Sequence, residues 1–200
     1  DTAVSAGDAA ASITSQIRAF GEDASFATTV INAYNEVANR FSVGTNDISN
    51  AMEIASSGMA TYGNSFQQVI GLVTSGTEIM QGRASQVARG LSTIAARIVK
   101  NQDALAEYGI QVEKTEGSLK STFDVLSELQ PKWDAMTDAQ RVALGDTIAG
   151  QKQYKVLASV MTHFQHAIDA TNTAIKSADS AAQENARSME NLEANENALK

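Results

Sequence analysis

Two histidines, a glycine-spaced segment and a single tryptophan are the residues of this chain whose types and spacing invite chemistry. His163 and His166 stand three apart, a spacing that on a helix brings two imidazoles toward one metal ion. Four positions beyond them stand Ala167 and Ala170, which carry no ligand atoms, and only Asp169 is near enough to add a third. The pair is read as two solvated histidines. Gly71 to Thr77 holds two glycines five apart, as a phosphate-binding loop does, but Thr77 and Glu78 follow where the lysine is required. That segment is read as a helix break. Glycoside cleavage needs two carboxyls at a set separation, and none of the 23 carboxylates sits in a recognisable frame. Neither a Gly-x-Ser-x-Gly elbow nor a His-Glu-x-x-His helix occurs. Trp133, between Lys132 and Asp134, reads as a packing anchor. The expectation is a protein that is not an enzyme, with no catalytic residue, no cofactor and no metal.

Composition narrows the class further. A net charge of −8 with scattered Lys and Arg argues against specific nucleic-acid binding, which needs a clustered basic surface. The absence of cysteine excludes disulfides and thiolate metal sites and leaves the compartment open. No stretch approaches the roughly 18 consecutive apolar residues of a membrane span. The chain opens at Asp1 without a basic-plus-apolar leader and reads as a piece of something longer. Aromatic residues are scarce while Ala, Ser, Thr and Asn abound, which suits helices with small apolar faces.

The elements that would position these residues are helices. Asp8 caps a first helix with Ile13, Ile17 and Phe20 on one face, ending at Gly21. Phe26, Val30, Tyr34, Val37 and Phe41 stripe a second, and Ile48, Met52 and Ala55 a third, beginning at Thr45 or Asn46. Gly58 to Gly63 reads as a break. Ser65 and Gln68 form a capping box that opens a helix carrying Phe66, Ile70 and Val73. Val87, Leu91, Ile94 and Ile98 mark another. Tyr108 to Val112 alternates, so residues 109–121 read as a short hairpin or an ordered loop around Gly117, and a small hairpin there is the most sheet expected. Phe123, Leu126 and Leu129 suggest a short helix ended by Pro131. Thr137 and Gln140 box the start of a helix that stops at Gly150.

Beyond Gly150 the composition changes, since all 13 glycines and the only proline lie in residues 1–150. In the remainder a seam at steps of three and four runs Tyr154, Leu157, Met161, Phe164, Ile168, Thr171, Ile175, Ala178, Ala182, Asn185, Met189, Leu192, Glu196, Leu199. Eleven of those fourteen are apolar, which is the a/d pattern of a coiled coil. The g positions Val160, Ala167, Ala174 and Ala181 widen the seam, and Asn185 within it would fix register. The chain therefore divides into a compact helical region, 1–150, and a long helical, coiled-coil-like segment, 151–200. That segment is one helix of ~75 Å at about 1.5 Å per residue, or two that turn near Asp179. Its seam joins copies of the chain, a trimer being favoured, or docks on the chain's own domain. The fold class is all-α.

An ordered series of short motifs carries a resemblance. Gly109-Ile110-x-Val112 leads through Gly117-x-Leu119 to Phe123-Asp124-Val125-Leu126. Trp133, Thr137-Asp138-Ala139-Gln140, Ala149-Gly150-x-x-Gln153 and Met189-Glu190-Asn191-Leu192-Glu193 follow. Upstream stand Val30-Ile31-Asn32-x-Tyr34-Asn35-Glu36-Val37 and Gly71-Leu72-Val73-Thr74-x-Gly76-Thr77-Glu78. Over most of residues 25–200 this series resembles the core region of phage tail tape measure proteins. The resemblance implies a virion structural protein, made in the host cytoplasm and housed in the lumen of the phage tail. It would set tail length during assembly and leave ahead of the genome at infection. Its implied partners are itself, tail tube and tail tip or baseplate proteins, and tail assembly chaperones. The alternatives are an adhesin-like helical scaffold that presents a bundle to a partner, and a tail-associated cell-wall hydrolase.

Overall fold

The computed structural model describes residues 6–115 and 117–177, and 77% of the described chain is helical. In order come α1 (Ala6–Ala19), a 3-10 turn (Ala24–Phe26), α2 (Ala27–Arg40), α3 (Thr45–Thr61), α4 (Phe66–Ile79), α5 (Ala84–Lys100) and α6 (Gln102–Ala106). A hairpin of β1 (Glu113–Thr115) and β2 (Ser118–Leu119) follows, then α7 (Thr122–Ala135), α8 (Asp138–Ile148) and α9 (Tyr154–Thr162). A further helix, α10, runs from 164 through 177. The fold is all-α with one small antiparallel hairpin, turning at Gly117 and pairing Glu113 with Leu119.

Local chemistry sets most of these boundaries. Both capping boxes form: the Ser65 hydroxyl accepts from the Gln68 N–H, and the Thr137 hydroxyl from the Gln140 N–H. Gly63 and Gly150 take φ of +74° and +78°, the left-handed conformation that ends α3 and α8 without a Cβ clash. The stripes on α2, α3 and α5 are buried as their spacing predicts, through Val30, Tyr34 and Val37, then Ile48, Met52 and Ala55, then Val87, Leu91, Ile94 and Ile98.

The core is organised around α4, whose residues 69–77 are all buried. A helix apolar on every side belongs in an interior, and α3, α5, α7 and α9 all pack on it. At its N-terminal end Phe20, Phe26 and Tyr34 gather on the Phe66 ring at 5.7, 5.3 and 6.1 Å. A polar chain then ties the first three helices together. The Tyr34 hydroxyl bonds Gln16 Oε1, Gln16 Nε2 donates to Ser12 Oγ at 3.1 Å, and Ser12 Oγ donates to Glu53 at 3.2 Å.

Four expectations need correcting. Gly71 and Gly76 do not break a helix; they lie inside α4. Gly58 is inside α3, which stops only at Thr61 before Gly63. Pro131 does not end α7, which continues to Ala135. Burial of Trp133 holds that last turn, and its final carbonyls are satisfied from outside: Arg141 Nε donates to Trp133 O at 2.9 Å and Nη2 to Asp134 O at 3.0 Å. Finally, α1 begins at Ala6 and so runs through Asp8. At the glycines and the proline, tertiary contact overrides a local signal that costs about 1 kcal/mol for glycine and about 3 kcal/mol for proline.

Candidate functional site

The part of the molecule that carries the sequence's strongest pattern is the groove holding α9 and α10. Four glycines of the body make room for it. A Cβ on Gly145 in α8 would stand 2.5 Å from the Tyr154 ring, and one on Gly90 in α5 would stand 2.8 and 2.9 Å from the two methyls of Val156. At Gly76 in α4 it would meet Val87 at 2.7 Å and Val160 at 3.2 Å. At Gly71 it would collide with the Ala167 carbonyl and the Thr171 hydroxyl of α10. Helices approach this closely only where one of them lacks a side chain. The glycine-spaced segment thus has its open faces filled by side chains and backbone, which leaves no cradle for a phosphate.

Polar groups of α4 complete the seat. Ser75 Oγ donates to His163 O at 2.9 Å and to Val160 O at 3.3 Å where helicity lapses at His163, whose carbonyl also accepts from the His166 N–H at 2.9 Å. Glu78 accepts from the Ser42 backbone N–H at 3.0 Å and faces His166 Nδ1 at 2.6 Å. The Glu78 side chain is 10% exposed and that of His166 47%. Phe41 lies edge-on to His166, the rings 6.1 Å apart, and the two histidine rings are 5.2 Å apart. The histidines, expected to be merely solvated, include one that is paired. Glu78 comes from 88 positions upstream, so no local spacing announces it. Among the described residues, no group of three or more His, Cys, Asp or Glu is placed to hold a metal ion.

The seam residues part company here. Leu157, Met161 and Phe164 are buried, Phe164 against Phe123 with ring centroids 5.4 Å apart. Tyr154 is half-buried on Gly145, and Ile168 is half-buried at the edge of the core. Thr171 is buried with its hydroxyl bonded to Ala167 O at 2.7 Å. Ile175 is 54% exposed. The g positions Val160, Ala167 and Ala174 are fully buried. On α10 the face turned to the body is therefore the line of Ala167, Ala170, Thr171 and Ala174, of which only Thr171 belongs to the a/d stripe. Ala178, Ala182, Asn185, Met189, Leu192, Glu196 and Leu199 lie outside the described residues.

Two further contacts brace the groove. Arg97 of α5 donates through Nη2 to Asp146 O at 3.0 Å and Thr147 O at 2.8 Å, closing the carbonyl end of α8 just before the turn into α9. Asn64 donates to Met59 O and to Thr122 Oγ1 and accepts from the Phe123 N–H, joining the α3–α4 turn to α7. Sequence patterning marks neither the Arg97 bonds to α8 nor the Asn64 bond to Phe123, because their partners lie about 50 or more positions away.

What fold and groove define is an all-α structural module in which polar side chains fasten helices to one another. A profile of the phage-related minor tail protein family matches residues 2–150, the greater part of the chain. The chain belongs to that family and is a structural protein of the phage tail. The family is not one of enzymes. No solved structure matches the chain, and no described helix is long and apolar enough to cross a membrane.

Proposed function

We propose that the chain is the core region of a tail tape measure protein, acting in the tail lumen to set tail length and released ahead of the DNA. Membership of the minor tail protein family supports the setting. The observation that carries the finer reading is the stripe Ile168, Ile175, Ala182, Met189, which repeats every seven residues and reaches water at Ile175, 54% exposed. Ile31, Ile79 and Val142 are also exposed, but Ile175 belongs to a seven-residue spacing that the sequence carries on beyond it. In this reading the glycine-bearing body, with α9 and α10 seated on it, is a compact anchor. The ruler begins past residue 177, where copies associate along the same seam, three together being favoured. Tube, tail tip and assembly chaperones are the corresponding partners.

Removing residues 183–196, two heptads, keeps the seam in phase and shortens a helix by ~21 Å. Electron microscopy of the resulting particles should show tails shorter by that order. Viable particles with tails of unchanged length would place this segment outside the ruler.

A further inference from the structure

We propose that His163 and His166 form a site for one divalent transition-metal ion of the kind imidazole suits, Zn2+, Cu2+ or Ni2+, with Glu78 as the carboxylate behind it. The inference stands apart from the tape measure reading and concerns only the junction of α4, α9 and α10. Spacing alone leaves these histidines as two solvated side chains, and the fold adds two observations that spacing lacks. The first is the tautomer of His166. Its Nδ1 lies 2.6 Å from Glu78 Oε2. An ionised carboxylate oxygen can only accept, so Nδ1 carries the proton, and the neutral ring keeps its lone pair on Nε2. Metal-ligating histidines are held in this way, the second ring nitrogen donating to a carboxylate that orients the ring and raises its basicity.

The second is the distance to His163. The two ring centres are 5.2 Å apart. Two imidazoles that share one tetrahedral ion at ~2.0 Å per nitrogen have ring centres about 5 Å apart, so rotation of the rings suffices to close the pair on an ion. Their positions are also held by the fold. Glu78 is anchored through its other oxygen, which accepts from the Ser42 N–H at 3.0 Å, and Phe41 lies edge-on to the His166 ring. His163 O accepts from Ser75 Oγ and from the His166 N–H, both at 2.9 Å, which ties the two histidines to each other and to α4. Both are exposed, so the remaining positions on the ion are open to water. This is a site of two protein ligands and one carboxylate brace, unlike a closed structural centre with three or four protein ligands.

The chain has two histidines in all and no cysteine, so imidazole ligation in the untagged protein reports on this site alone. Zn2+ and Cu2+ are titrated into it by calorimetry, and the copper form is read by electron spin resonance. One saturable ion per chain should appear, with hyperfine structure from two imidazole nitrogens. His163→Ala removes an exposed side chain; it should leave the circular dichroism unchanged and abolish the two-nitrogen signal. Glu78→Gln keeps an acceptor for Ser42 and His166 but removes the charge, and should weaken the binding of both ions 10–100-fold, on the order of what loss of such a brace costs. The absence of saturable binding, a two-nitrogen signal that survives His163→Ala, or an affinity unchanged in Glu78→Gln would each overturn the proposal. The last would do so because two merely adjacent imidazoles need no carboxylate. Should Glu78→Gln fail to fold, nitrogen chemical shifts of the parent decide. Zn2+ must move the His166 Nε2 resonance while Nδ1 keeps its proton, and an ion on Nδ1 in place of the Glu78 contact refutes the site.

Discussion

The glycine slots make opposite predictions for one substitution at two interior helix positions. Gly58 in α3 and Gly90 in α5 both have helical backbone, and replacing a mid-helix glycine by alanine gains about 1 kcal/mol from backbone entropy alone. At Gly58 the new methyl meets Ser92 Oγ at 3.2 Å and Ser92 Cβ at 3.4 Å. That hydroxyl is the free end of a small side chain, bonded only at 3.2 Å to Ala88 O, and a few tenths of an ångström of movement relieves the contact. Gly58→Ala should therefore stabilise by somewhat under ~1 kcal/mol. At Gly90 the methyl meets both γ carbons of Val156, at 2.8 and 2.9 Å, and Gln153 Oε1 at 3.0 Å. Val156 is fully buried and stiff at χ1, so no rotamer withdraws both methyls. Overpacking of this kind costs about 1–3 kcal/mol, which outweighs the propensity gain. Gly90→Ala should lose ~1 kcal/mol net. Urea unfolding followed by Trp133 fluorescence reads both, and each kcal/mol moves Tm by about 2–4 °C in a chain of this size. Combining Gly90→Ala with Val156→Ala should be less harmful than the two losses added, by about 1 kcal/mol, because the methyls responsible are gone. If Gly90→Ala proves as stable as its parent, or both glycine variants shift the same way, α9 does not sit on α5 as closely as the argument requires.

Two other perturbations separate the fold from its surface. Ile175→Asp should abolish any self-association through this stretch seen by light scattering while leaving the urea midpoint nearly unchanged, whereas Phe164→Ala should cost about 3–5 kcal/mol because that ring is 1% exposed. An unmodified protein that stays monomeric at high concentration would end the proposal that copies meet along this part of the seam. Burial pushes the Tyr34 hydroxyl pKa well above its ordinary value of 10.0, against a smaller opposing effect of the Gln16 hydrogen bond. The folded state thus holds this proton more tightly than the unfolded one. The stabilisation is whole below pH 10.0 and is lost as pH rises above it toward the folded value. Tyr34→Phe should flatten the fall of the urea midpoint above about pH 10, and parallel slopes in the two proteins would show that Tyr34 is not responsible.

The helices and most of their ends were legible because the signals are local. Ser65 with Gln68 and Thr137 with Gln140 act within one turn, and Gly63 and Gly150 act through their own φ. The stripes Ile48–Met52–Ala55 and Leu91–Ile94–Ile98 point one way only, since each helix has one core to face. What stayed hidden depends on pairs far apart in the chain. Nothing beside Gly71 tells that Thr171 will arrive there, and without that partner a glycine inside an apolar run is indistinguishable from a helix stop. The same holds for Glu78 and His166, for Arg97 and the end of α8, and for Asn64 and Phe123.

The seam shows why periodicity alone left its partner open. Helices that touch through glycine come close enough for backbone itself to fill the slot, as the Ala167 carbonyl does at Gly71. Gly71 therefore selects Ala167 and Thr171 from α10, and the neighbouring isoleucines are too large for that slot. Ile168 is held at the rim and Ile175 is left in water. A single helix thus carries two adjacent lines, a small one at 167, 170, 171 and 174 that fits the body and a bulky one at 168 and 175 that does not. Counting apolar residues at steps of three and four merges these lines, because they lie about 100° apart, within the width of one amphipathic face. Side-chain size separates them. The small line fits Gly71 alone, the other groove glycines meeting Tyr154, Val156 and Val160 of α9, and the spacing of 168 and 175 continues in phase through Ala182 and Met189. A helix meant only to coil would have no use for Ala167 and Thr171 fitted to Gly71 of α4, and one meant only to dock would have no need to carry the 168 and 175 spacing on through Met189.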